Sequence, residues 1–81
     1  MTPTKAVVIL LECRDLADKL VAQGPQAYLE KADLSALRGF KEAKAAGWTV
    51  NPDVRRLAGL TSLQVQALDL ALTTHAARLG K

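Results

Sequence analysis

Cys13 and His75 are the only cysteine and the only histidine of this chain. A thiol and an imidazole are what nucleophilic catalysis and zinc binding draw on first. A zinc site needs four ligands from Cys, His or carboxylate, and His75 has no second His or Cys near it in sequence. A histidine base needs a nucleophile within hydrogen-bond reach, and the sequence indicates none. Cys13 falls on the apolar side of a helical pattern, the setting of a structural thiol. A reactive one needs a basic, partly exposed environment. Glu12, Asp15 and Asp18 alternate with Lys and Arg, as on a solvated helix surface. Arg38, Lys41 and Lys44 make a basic run that Glu42 interrupts. There is no glycine-rich phosphate loop. The expectation is a non-enzyme with no cofactor and no metal.

The elements that carry these residues follow from length and patterning. The chain has 81 residues, enough for a single domain (1–81) that buries only about 60 % of its unfolded surface. Domains this small often gain the missing burial by oligomerising. With one Tyr, one Phe and one Trp, the core must be built from Leu, Val and Ala. A lone cysteine fits a reducing compartment, so a cytoplasmic location is expected. The one long apolar run, Ala6 to Leu11, is far short of the roughly 20 residues that cross a membrane, and no membrane partner is expected. Net charge is +3. Most of the excess lies after residue 46, which permits contact with nucleic acid without demanding it.

An all-α fold of four to five helices is expected. Thr2-Pro3 opens the first, as cap and first helical residue, and Gly24-Pro25 stops it. Its core face is Ile9, Cys13, Leu16, Ala17, Leu20 and Val21. The β-branched start of Val7-Val8-Ile9-Leu10-Leu11 also allows a short strand. A second helical stretch runs from Pro25 to Ala46, with a kink allowed at Asp33. Trp48-Thr49-Val50 reads as an extended link. Asn51-Pro52 opens a short helix that ends at Gly59. The last helix runs from Ser62 to about Leu79, with Thr61 and Gln64 as a reciprocal capping box.

Residues 53–68, D-V-R-R-L-A-G-L-T-S-L-Q-V-Q-A-L, resemble the helix-turn-helix of lactose-repressor-type transcription factors. Val54, Ala58, Leu60, Val65 and Leu68 fall where that motif keeps apolar residues. Gly59 falls at the turn and Thr61 at the second helix's cap. Where the family keeps a small residue, three before Ala58, this chain has Arg55. The resemblance implies a DNA-binding regulator whose second helix presents Ser62, Leu63, Gln66, Ala67 and Leu70 to the major groove. Gln66 would bond adenine, and Ser62 a base or a phosphate. Phosphate neutralisation, the main source of affinity, would come from Arg55 and Arg56, or from Arg38, Lys41 and Lys44.

The same helix read as an amphipath has two apolar stripes. Val65, Leu68, Leu72, Ala76 and Leu79 form one; Leu63, Leu70 and Ala77 form the other. A surface helix in a monomer needs only one. The second stripe predicts a protein–protein contact through Leu63, Ala67, Leu70 and Ala77, joined by Val7, Val8 and Leu11 of the first helix. The expected function is a small regulatory or scaffolding module that binds another protein, as a homodimer. A helix-turn-helix DNA-binding regulator is the alternative.

Overall fold

The computed structural model describes residues 1–80. Its six helices are α1 (Pro3–Glu12), α2 (Arg14–Gln23), α3 (Lys31–Ala45), α4 (Pro52–Ala58), α5 (Ser62–Thr74) and α6 (Ala76–Leu79). No strand occurs among the described residues. The fold is all-α, with one helix more than the four to five expected, because two of the expected long helices are broken.

The first break is at Cys13. Thr2 Oγ1 accepts the Lys5 N–H at 3.2 Å and starts α1. The Val7–Leu11 run is helical, its β-branched preference overridden by that cap and by complete burial of Ala6 and Leu10. At Cys13 the backbone N–H bonds Leu10 O at 3.0 Å, a tight three-residue step. The thiol then takes up the carbonyl given up by the backbone, with Sγ 3.3 Å from Ile9 O and 3.2 Å from Ala36 O on α3. The thiol thus satisfies the break and ties it to a neighbouring helix.

The second stretch becomes helical at Lys31 rather than at Pro25. Ala27 and Leu29 are buried while Tyr28 between them is exposed, a period of two that suits extended chain. Asp33 then braces the helix start, accepting the Glu30 N–H and Lys19 Nζ, each at 3.0 Å. Trp48–Val50 is a 3₁₀ turn, not an extended link. Asn51 caps α4 as expected, accepting from the Asp53 and Val54 N–H groups. The second break is at His75. Its ring bonds Pro25 O at 2.9 Å, and Arg78 Nη1 donates to Leu29 O at 3.2 Å. These contacts turn the chain and pull α6 onto the α2–α3 loop, so the helix from Ser62 stops at Thr74.

α1 packs on α3 and α4, and α2 packs chiefly on α5. Thr4 shares a groove with Asn51, Arg14 lies over Gly59, Asp18 meets Gln64, and Pro25 meets His75. The α1–α2 and α4–α5 arms therefore run side by side in the same direction. α3 returns against them, close enough to α1 that a Cβ on Gly39 would sit 2.9 Å from Ile9 Cγ2. Phe40, Leu10, Leu20, Leu29, Leu37 and Leu68 are the large, fully buried side chains at the centre. The Cα envelope measures 30 × 27 × 18 Å. Its thin dimension is about two helix layers.

Candidate protein-interaction surface

The phase of α5 is set at its start. Thr61 Oγ1 accepts the Gln64 N–H at 3.1 Å, and Gln64 Oε1 accepts the Thr61 N–H at 2.8 Å. Gln64 Nε2 also donates to Asp18 Oδ1 at 2.7 Å, which locks α5 against α2. With the helix fixed in that rotation, Leu68 and Ala71 are fully buried. Leu63 and Leu70, seven residues apart, point away and are 59 % and 53 % exposed. An exposed leucine alone is ordinary. Two at heptad spacing on a locked helix form the kind of stripe that helices use to meet one another.

The other expected contact residues divide. Ala67 and Val7 are half-buried and pack against the core. Ala77 is exposed but lies on α6, beyond the turn at His75, so it does not continue the Leu63–Leu70 stripe. Val8 and Leu11 are exposed on α1. α1 rests on α3 and α4, whereas α5 rests on α2 and α3. Val8 and Leu11 are therefore a patch on a different helix arm from Leu63 and Leu70. Five more large apolar side chains are exposed that the sequence pattern did not single out for contact: Met1, Val21, Tyr28, Val50 and Leu57. Leu57 closes a groove of about 310 Å³ between α1 and α4, floored by Val7 and Val54 and edged by Trp48. Its signal was present but short: α4 has seven residues, too few for an apolar period to declare itself. Val21 sits on the core face of a helical projection, but no neighbouring helix covers it.

The residues named for DNA contact gather around the α4–α5 turn. Gly59 adopts the left-handed φ of +72° that the turn requires. Arg55 Nη2 donates to Ser62 Oγ at 2.9 Å. Arg56 pairs with Asp53 at 2.9 Å, both well exposed. Gln66 is exposed. Arg14, which the sequence reading passed over, brings its guanidinium to the same turn, 3.4 Å from where a Gly59 Cβ would lie.

The two chemically reactive residues are held by backbone carbonyls. Cys13 is fully buried. Burial, helped by the charge of Glu12 and opposed by a backbone hydrogen bond at Phe40, pushes its thiol up to about 11. His75 Nε2 faces Pro25 O, which places the ring proton on that nitrogen when the imidazole is neutral. Among the described residues no three His, Cys, Asp or Glu side chains converge as metal ligands, and no helix is long and apolar enough to cross a membrane. No family model, no curated protein and no solved structure matches this chain.

Proposed function

We propose that this chain is a small, non-enzymatic regulatory or scaffolding module that works by binding protein, and that it self-associates as a homodimer through the Leu63–Leu70 stripe of α5. The observation that carries the reading is the pairing of a locked helix with an uncovered apolar stripe. Leu68 and Ala71 of α5 are fully buried, yet two leucines on its far side remain more than half exposed. Covering an apolar side chain of this size contributes about 1.5–3 kcal/mol when complete. Two leucines from each of two protomers are therefore a sizeable driving force against the cost of association. Val8 and Leu11 supply a second patch for the same partner or for another. Leu70→Glu tests this directly. The variant keeps the helical circular dichroism of the parent and loses self-association in gel filtration. If it unfolds instead, Leu70 belongs to the core and the proposal fails.

A second reading, a helix-turn-helix DNA-binding regulator, is favoured by one specific feature. Three guanidinium groups, Arg14, Arg55 and Arg56, surround the turn before α5, beside exposed Gln66 and the hydroxyl of Ser62. Three phosphate contacts would give an affinity falling with salt at a log–log slope of about −2.7. The joint variant Arg55→Ala/Arg56→Ala would flatten that slope to about −1. No mobility shift of duplex DNA at low salt excludes this reading.

A further inference from the structure

The flank of α5 next to the Leu63–Leu70 stripe borders a groove of its own. It has a volume of about 340 Å³ and lies between α3, α5 and α6. Leu72, Ala76 and Leu79 form its floor; Lys41, Lys44, Asp69 and Thr73 line the rest. Round the helix from Leu70, Leu72 is about 160° away, Asp69 about 100° and Thr73 about 60°, so the groove lies on the flank next to the proposed dimer stripe.

The charges around this groove are unbalanced. Lys44 pairs with Asp69 at 2.9 Å. Lys41 has no carboxylate within 4.0 Å among the described residues. Arg38, one turn before Lys41 on α3, donates to Arg78 O, next to the groove residue Leu79, whereas Arg78 turns its own guanidinium to Leu29 O in the α2–α3 loop. Lys41, Lys44 and Arg38 thus stand against one carboxylate, Asp69. Glu42, the acid that breaks the Arg38–Lys44 run in sequence, is about 100° round α3 from Lys41, away from the groove.

We propose that the α3–α5–α6 groove is a docking site for an acidic peptide segment of a partner protein, with an apolar side chain seated on Leu72, Ala76 and Leu79 and flanking carboxylates facing Lys41 and Arg38. Charge complementarity selects an anionic occupant. The apolar floor selects peptide over nucleic acid, since a duplex backbone would offer phosphates to the rim and nothing to the leucines. The volume sits at the lower end of the range for ligand pockets, enough for a side-chain anchor.

The test is fluorescence anisotropy of the intact protein with a labelled short peptide alternating leucine and glutamate. Its glutamine-for-glutamate twin and a short DNA duplex serve as comparison probes. The peptide binds saturably, and the neutral twin binds about tenfold more weakly. Lys41→Glu, at an exposed and unpaired position, costs about tenfold through charge. Ala76→Trp, which fills the groove without changing charge, costs about as much. Neither variant alters the oligomeric state, so a failure here is separable from a failure of the dimer proposal. Absence of saturable binding overturns the docking site, and so does affinity indifferent to both variants. Tighter binding of the duplex than of the peptide, lost in Lys41→Glu, would make the groove a nucleic-acid surface instead.

Discussion

Cys13 shows how one side chain can set the course of a chain. Its thiol occupies the Ile9 carbonyl that the backbone releases, and it reaches Ala36 on α3 at the same time. Fully buried and raised to about 11, it is protected in the folded state. Labelling by a thiol reagent at neutral pH should therefore run about a thousandfold or more slower in native protein than in urea-unfolded chain, because it must wait for opening. Labelling at the free-thiol rate would show that the α1–α2 break is open to solvent. Asp33 makes a second prediction. Desolvation pushes its carboxyl up, but hydrogen bonds from Lys19 and the Glu30 N–H, with the charge of Lys19, outweigh that and hold it below its ordinary 3.8. A carboxyl whose folded value is depressed stabilises the fold fully above its unfolded value and loses that contribution as pH falls through the folded one. Urea midpoints of the parent should drop on acidification below about pH 4, and Asp33→Asn should lack that part of the drop. An identical acid profile in both proteins would place the ion pair outside the stability of the fold.

At the scale of elements, what could be read in advance was what is local. Thr2, Asn51 and the Thr61–Gln64 pair cap their helices as their spacing implies, because a cap is decided within four residues. Gly24, Gly47 and Gly59 all take positive φ and mark the stops. The breaks at Cys13 and His75 and the late start of α3 depend instead on partners distant in sequence: Ala36, Pro25 and Lys19. No window of neighbouring residues contains them. Periodicity saw one long helix across each break because the apolar phase continues through it. The α4–α5 corner offers the cleanest energetic check. Gly59→Ala should cost about 1 kcal/mol or more, since an L side chain at this φ is strained and its methyl would meet the Arg14 guanidinium. Thr61→Ala should cost about 1 kcal/mol through loss of the cap. Urea-midpoint shifts measure both, and a null effect at Gly59 would mean that the turn can relax to another conformation.

For the whole molecule, the contrast between Leu68 and Leu70 separates core from surface. Leu68 is fully buried, so Leu68→Ala should remove about 2–5 kcal/mol. Leu70→Ser should change monomer stability by no more than about 0.5 kcal/mol, as exposed positions do. The two-stripe character of α5 was legible from projection alone. That α1 and α5 lie on different arms was not, and neither was the exposure of Leu57 and Val21, since both depend on which helices become neighbours. The central claim is tested most directly by sedimentation equilibrium of the purified chain over a range of concentrations. The account predicts a mass of twice the 8.7 kDa chain, returning to the single-chain value in Leu70→Glu without loss of helix. A single-chain mass for the parent at every concentration would contradict it.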